Sequence, residues 1–203
     1  NSFNPDEWNE GVFSNQFNTD NETGHRIPVS VTLGNNVKTL SAYMFARLGL
    51  ESLTIPSSVT KIADGVFEDN TLLTSVTFSS GTTDLEIGFQ SGTSQVGAFY
   101  QSPLEIVNLD RNLKLSNRYS SSLDSTNEGV FSSSYYNDAN YPNTVVTLGN
   151  NVKTIHDYMF AESRISTLAI PSSTTSIEKY AFGNCKKLKE IVNNVEYVQV
   201  KNK

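Results

Sequence analysis

Three observations predict a mainly β fold with short helical turns, a solenoid carrying one stacked parallel sheet. The stretch from Val31 to Phe78, which begins VTLGNNVKTLSAYMF, returns in altered form from Val146 to about Asn193, where the chain again reads VTLGNNVKTIHDYMF. Inside that stretch Val31 and Leu33 fall over Leu53 and Ile55, and those over Val76 and Phe78, a step of about 22 to 23 residues that marks stacked repeat units. Phenylalanine recurs through the chain at Phe13, Phe45, Phe67, Phe99, Phe131, Phe160 and Phe182, with spacings of 32, 22, 32, 32, 29 and 22. Short layers therefore alternate with layers that carry loop insertions, which usually gather on one face of a solenoid.

Each unit has one grammar. Two apolar residues alternate with small polar ones, as in Leu53-Thr54-Ile55, the period of a strand with one buried face. A turn follows at Pro56-Ser57-Ser58 or Gly34-Asn35-Asn36. A second short extended piece carries Val59 and Ile62, matched by Val37 and Leu40. A compact segment ending in Phe (SAYMF, ADGVF, HDYMF, EKYAF) closes the unit; too short to stand as a helix alone, it reads as a single helical turn pinned by its ring. Three residues after the Phe stand Asn70, Ser102, Ser163 and Cys185, small side chains able to satisfy backbone groups of a buried turn, while Leu48 breaks this column.

Taken in order, one domain is expected over residues 1–203: a partial first layer (1–30), a first repeat block (31–78), inserted layers (79–130), a second repeat block (131–193) and a C-terminal strand or cap (194–203). Trp8 and Phe13 are placed to cover the open end of the core, and the chain starts in the middle of a layer, as expected of a mature form or an excised fragment. Asn18 to Gly24 is read as a solvated turn: an EF-hand needs Gly at its sixth position and Glu at its twelfth, and Thr23 and Val29 stand there. Asn21-Glu22-Thr23 fits a glycosylation sequon. Strands are expected at about Ser30–Leu33, Ser52–Ile55, Ser75–Phe78, Ile106–Leu109, Val145–Leu148, Thr167–Ile170 and Glu190–Val192. Leu85 and Ile87 form a short strand of the first insertion, Leu113 and Leu115 another, and Val195 to Val200 a last one that protects the end. Ser116 to Asn127 reads as a loop.

Composition narrows the function classes. A net charge of -6 and a pI near 4.9 argue against nucleic acid or an anionic membrane as partner, since both select for basic patches. No run approaches the ~20 apolar residues of a membrane span. The single cysteine permits no internal disulfide, so Cys185 is read as a small buried residue of the turn column. His25 and His156 have no Cys, His or carboxylate at metal-ligand spacing, and no nucleophile elbow, zinc-protease motif or phosphate loop occurs. No catalytic residue, metal or cofactor is expected, and the chain is read as a non-enzyme.

The pattern LxxLxIPSSVTxIxxxxFxxNxxLxxV over Leu50 to Val76, and AFxxCxxLxxI at Ala181 to Ile191, resembles the BspA-like leucine-rich repeat of bacterial surface proteins and some mucosal parasites. The resemblance spans about Gly11 to Ile191 and implies a right-handed leucine-rich-repeat solenoid. It also implies an extracellular or cell-surface, secreted location and a role in adhesion to an extracellular protein or glycan. The alternative is a structural spacer within a longer surface protein. A monomer is expected. Candidate partner-binding residues are Tyr135, Tyr136 and Tyr141 in the insertion Ser132 to Asn143, where aromatic anchors are concentrated. With Leu53 and Ile55 turned inward, Ser52, Thr54, Thr32, Thr77, Asn108, Thr147 and Thr167 join them on an outward face that reads as polar and almost uncharged.

Overall fold

Alternation of apolar and small polar residues in sequence becomes alternation of buried and exposed side chains in the structure. In β2 (Ser52–Ile55) Leu53 and Ile55 are buried while Ser52 and Thr54 face solvent. The structure, a computed structural model, describes residues 13, 20, 26–88, 97–115, 129–132, 141–193 and 199–200. Trp8, His25, Asn21, Tyr135, Tyr136 and the loop 116–127 lie outside them.

The strands β2, β4 (Ser75–Phe78), β6 (Ile106–Leu109) and β8 (Val145–Leu148) stack as a first parallel ribbon, with Leu53 opposite Val76, Val76 opposite Val107 and Val107 opposite Val146. The same face continues in β10 (Thr167–Ile170) and β12 (Glu190–Asn193), paired with each other. Sequence reasoning expected one uninterrupted sheet. Instead the ladder stops between β8 and β10, where Thr144 opposite Ile165 makes a single bridge. Ser30–Leu33 forms no strand either; next to it stands the isolated bridge of Val29 to Leu50, two residues before β2 begins.

The second extended piece of each unit builds a second ribbon, a sheet in its own right. The strands β1 (Thr39–Leu40), β3 (Lys61–Ile62), β5 (Leu85–Ile87) and β7 (Leu113–Leu115) pair in that order, and β9 (Thr154–Ile155), β11 (Ser176–Ile177) and β13 (Gln199–Val200) form a second group. Here the break falls one step earlier, between β7 and β9, where the Thr154 N–H donates to Asn112 Oδ1 at 3.1 Å in place of a ladder. Of the strand expected at Val195 to Val200, the described residues hold β13, which extends the second ribbon; 195–198 lie outside them.

Between the ribbons the seven phenylalanines form one column. Consecutive rings from Phe13 to Phe182 are stacked, with centroids 5.0 to 5.9 Å apart and planes within 19° of parallel. Phe78 closes on Phe99 and Phe131 edge-on from the strand side. Phe67 is fully buried, as expected. Phe182, also expected to be buried, is only partly so, because among the described residues its ring has a stacking neighbour on one side alone.

The segment read as a helical turn is built from successive three-residue closures, such as Met44 N–H to Ser41 O and Ala46 N–H to Tyr43 O. Left-handed residues stand two before and two after the ring: Tyr43 and Arg47 around Phe45, Gly65 and Asp69 around Phe67, Tyr158 and Glu162 around Phe160. These kinks turn backbone groups along the solenoid axis, and a third ladder forms in which Phe45, Phe67 and Phe160 donate to Val66, Ala98 and Ala181, each at 2.9 Å.

The small polar column works as the sequence implied. Asn70, fully buried, accepts the Gly49 and Leu50 N–H groups at 3.1 Å and donates to the Phe45 and Phe67 carbonyls at 2.8 and 3.0 Å. Ser102 Oγ donates to Phe67 O at 2.8 Å and Cys185 Sγ to Phe160 O at 3.0 Å. Cys185 is half-buried, less enclosed than expected, since it belongs to the last described turn. Two arginines that the sequence did not single out are fully buried. Arg111 donates to Val59 O at 2.8 Å and Thr83 O at 2.9 Å, and Arg164 to Leu104 O at 2.9 Å.

Candidate functional site

The outward rows of the first ribbon are fixed by ladder register. One row runs Thr54, Thr77, Asn108, Thr147; its neighbour runs Ser52, Ser75, Ile106, Val145. Thr54, Thr147, Thr167 and Ser52 are exposed, while Thr77 and Asn108 are half-buried and joined by a 3.2 Å hydrogen bond from Asn108 Nδ2 to Thr77 Oγ1. Thr167 lies across the break between β8 and β10, so it is not in ladder register with the others. Thr32, also exposed, instead lines a groove with Ser52 and Thr54 at the opening beside β2.

The face is less polar than expected. Ile106 is 46% and Val145 60% exposed, and the register sets them directly opposite one another. The signal was present in the sequence: once Val107 and Leu109 turn inward, Ile106 must turn outward at the position that Ser52 and Ser75 hold in the lower layers. Tyr141, 39% exposed, carries the Arg164 guanidinium over its ring at 5.6 Å from the centroid, and its carbonyl accepts from Lys187 Nζ at 3.1 Å. It is the one tyrosine of the predicted trio within the described residues.

The outward rows of β2, β4, β6 and β8 carry no charged side chain; where the face continues, Glu190 stands exposed opposite Thr167. At the phenylalanine turns Arg47 lies 3.4 Å from Asp69 and 3.8 Å from Glu68, and Arg26 lies 3.6 Å from Asp69. Burial pushes the Glu68 carboxyl above its usual range, against the pull of Arg47. One layer step of 22 residues sets Glu178 over His156, with Oε2 3.1 Å from Nδ1, a pairing that linear spacing concealed. Among the described residues no group of three or more His, Cys, Asp or Glu side chains could hold a metal ion. Burial raises the Cys185 thiol, which disfavours the thiolate needed for nucleophilic chemistry. No helix is long and apolar enough to cross a membrane among the described residues.

A family profile described as BspA type leucine rich repeat region matches residues 26–119 and 116–202, in six copies. A search of curated proteins gave no match. Among solved structures, a leucine-rich repeat protein from Bacteroides ovatus is 17% identical, with a TM-score of 0.41 over 82% of this chain and 43% of its own. A leucine rich cell surface protein from Faecalibacterium prausnitzii is 22% identical, with a TM-score of 0.37 over 85% of this chain and 48% of its own. The chain thus spans less than half the length of either.

Proposed function

Because the chain belongs to the BspA-type leucine-rich repeat family, we propose that it is a non-enzymatic interaction module of an extracellular or cell-surface protein, which adheres to a protein partner through the outward face of the first ribbon. The observation that carries this reading is the adjacent pair Ile106 and Val145, two well-exposed aliphatic side chains in the middle of a face otherwise made of hydroxyls and amides. An apolar centre within a polar, uncharged rim is the anatomy of a protein-binding patch. Tyr141, which contacts Arg164 and Lys187, is a further exposed aromatic of the kind that binding surfaces favour.

The test is binding of the protein to an immobilised panel of extracellular-matrix proteins, compared with an Ile106→Ser, Val145→Ser double variant. Both positions face solvent, so the variant keeps its melting temperature, and loss of binding by about tenfold or more supports the face. Unchanged binding moves the contact elsewhere. The second reading is a structural spacer, favoured by the scarcity of charge along the face; failure of the parent to bind any member of the panel supports it.

A further inference from the structure

Beside β2 the first ribbon opens because two neighbouring layers differ in length by one residue. Ten residues lead from Val29 to Thr39, and eleven from Leu50 to Lys61, although both ends are paired. The extra residue lies in the upper layer's Leu50-Glu51-Ser52-Leu53, where the lower layer has only Val29-Ser30-Val31. Two residues then oppose one, the condition that makes a bulge and locally disrupts a ladder. Among the described residues no hydrogen bond joins Ser30–Leu33 to Ser52–Thr54. The space between them is a groove of about 430 Å³.

We propose that this groove binds a neutral saccharide. Its rim is made of the side chains of Ser30, Thr32, Asn35, Ser52, Thr54 and Ser79, with Val31, Leu33, Leu53 and Pro56 beneath. Hydroxyls both donate and accept, and the open ladder adds backbone N–H and C=O groups that the sheet does not consume. A sugar ring presents the matching surface, with alternating donors and acceptors at its edge and C–H groups on its faces. No Lys, Arg, Asp or Glu lines the groove, so nothing there compensates a carboxylate, phosphate or ammonium. The volume falls within the range of small-ligand sites, about 300 to 1,000 Å³. None of these residues is Ile106, Val145 or Tyr141: the groove shares Ser52 and Thr54 with the outward face of the first ribbon, but lies two strands below the apolar pair Ile106 and Val145.

The experiment is an NMR titration of the amide spectrum with glucose, galactose and N-acetylglucosamine, each run beside glucuronate and glucosamine. Saturable shifts confined to Thr32, Ser52, Thr54 and their neighbours, produced by at least one neutral sugar and not by the charged ones, support the site. Thr54→Val keeps the branched shape that suits the strand but removes the hydroxyl, and weakens that binding by about tenfold. The Val145→Ser protein retains it. The proposal is overturned if no neutral sugar gives saturable shifts, if glucuronate binds equally well, or if Thr54→Val binds like the parent.

Discussion

The nine residues VTLGNNVKT occur twice, at 31–39 and at 146–154, and adopt two different structures. In the second copy they supply β8, which lies in full register on β6, and Val146, Leu148 and Val152 are buried. In the first copy Val31, Leu33 and Val37 are only half-buried, and residues 31–33 belong to no strand. The turns differ too. Asp110 Oδ1 accepts from the Asn151 N–H at 3.1 Å and from its side-chain amide at 3.2 Å, drawing the second Gly-Asn-Asn turn against the layer below. An added Cβ at Gly149 would run into the Asp110 carboxylate, whereas one at Gly34 would meet nothing within 4 Å. Local sequence is identical in the two places, so the difference comes from the neighbouring layer. This is the behaviour of a quasi-one-dimensional array, in which each unit is completed by the next.

The comparison predicts unequal effects at equivalent positions. The largest concerns the rings: Phe67 and Phe182 hold the same place in the two copies, but Phe67 is stacked on both sides and Phe182 on one. Phe67→Ala costs about 3 to 5 kcal/mol in denaturant unfolding, and Phe182→Ala roughly half as much, because its ring is only partly buried. Equal losses would show that the copies are energetically alike. Next come the glycines. Gly149→Ala costs about 1 to 3 kcal/mol by overpacking, while Gly34→Ala changes stability by less than about 0.5 kcal/mol; melting temperatures of the two single variants decide it.

The smallest effect is electrostatic and belongs to the second copy alone. The Asn151 backbone N–H, which outweighs the opposing effect of burial, and then the Ser80 hydroxyl and Asn151 amide hold the Asp110 carboxyl below its ordinary value of 3.8. Since the folded value is the lower one, the carboxylate stabilises the fold fully above the unfolded value. That contribution disappears as pH falls through the folded value. Acid unfolding of Asp110→Asn therefore shows a shallower loss of stability below pH about 4 than the parent does. If the two acid profiles run parallel, Asp110 does not fasten the turn.

How far the sequence discloses this structure depends on the range of the interaction. The phenylalanine column was legible because one residue type repeats at layer spacing, and Asn70, Ser102 and Cys185 followed at a fixed offset from it. The strand faces were legible from alternation, including the outward turn of Ile106 that reading by residue class passed over. Arg111 was not legible: it reaches Val59 O, 52 residues away, from within an inserted layer whose length breaks the repeat. Nor was Arg164, which reaches back across 60 residues to Leu104 O in an inserted layer. The gap beside β2 was present as one missing residue in Val29-Ser30-Val31, but only the pairing at both ends of the layer reveals that the count is short. Of the candidate site, the exposure of Thr54, Thr147 and Thr167 followed from strand phase alone. The apolar centre at Ile106 and Val145 required the register between layers 39 residues apart.

The two ribbons do not break at the same level. The layer holding β8 and β9 is bonded downward through β8, to β6, and upward through β9, to β11. It acts as a half-lap joint, in which each half of the timber overlaps the other and no straight cut passes between them. Parting the upper repeats from the lower ones must tear one of these two ladders, wherever the cut is made, and must also separate Phe131 from Phe160 or Phe160 from Phe182. A pull along the long axis is therefore shared by hydrogen bonds on alternate faces, and a chain that would part at a single aligned gap is instead laid like offset courses of brick.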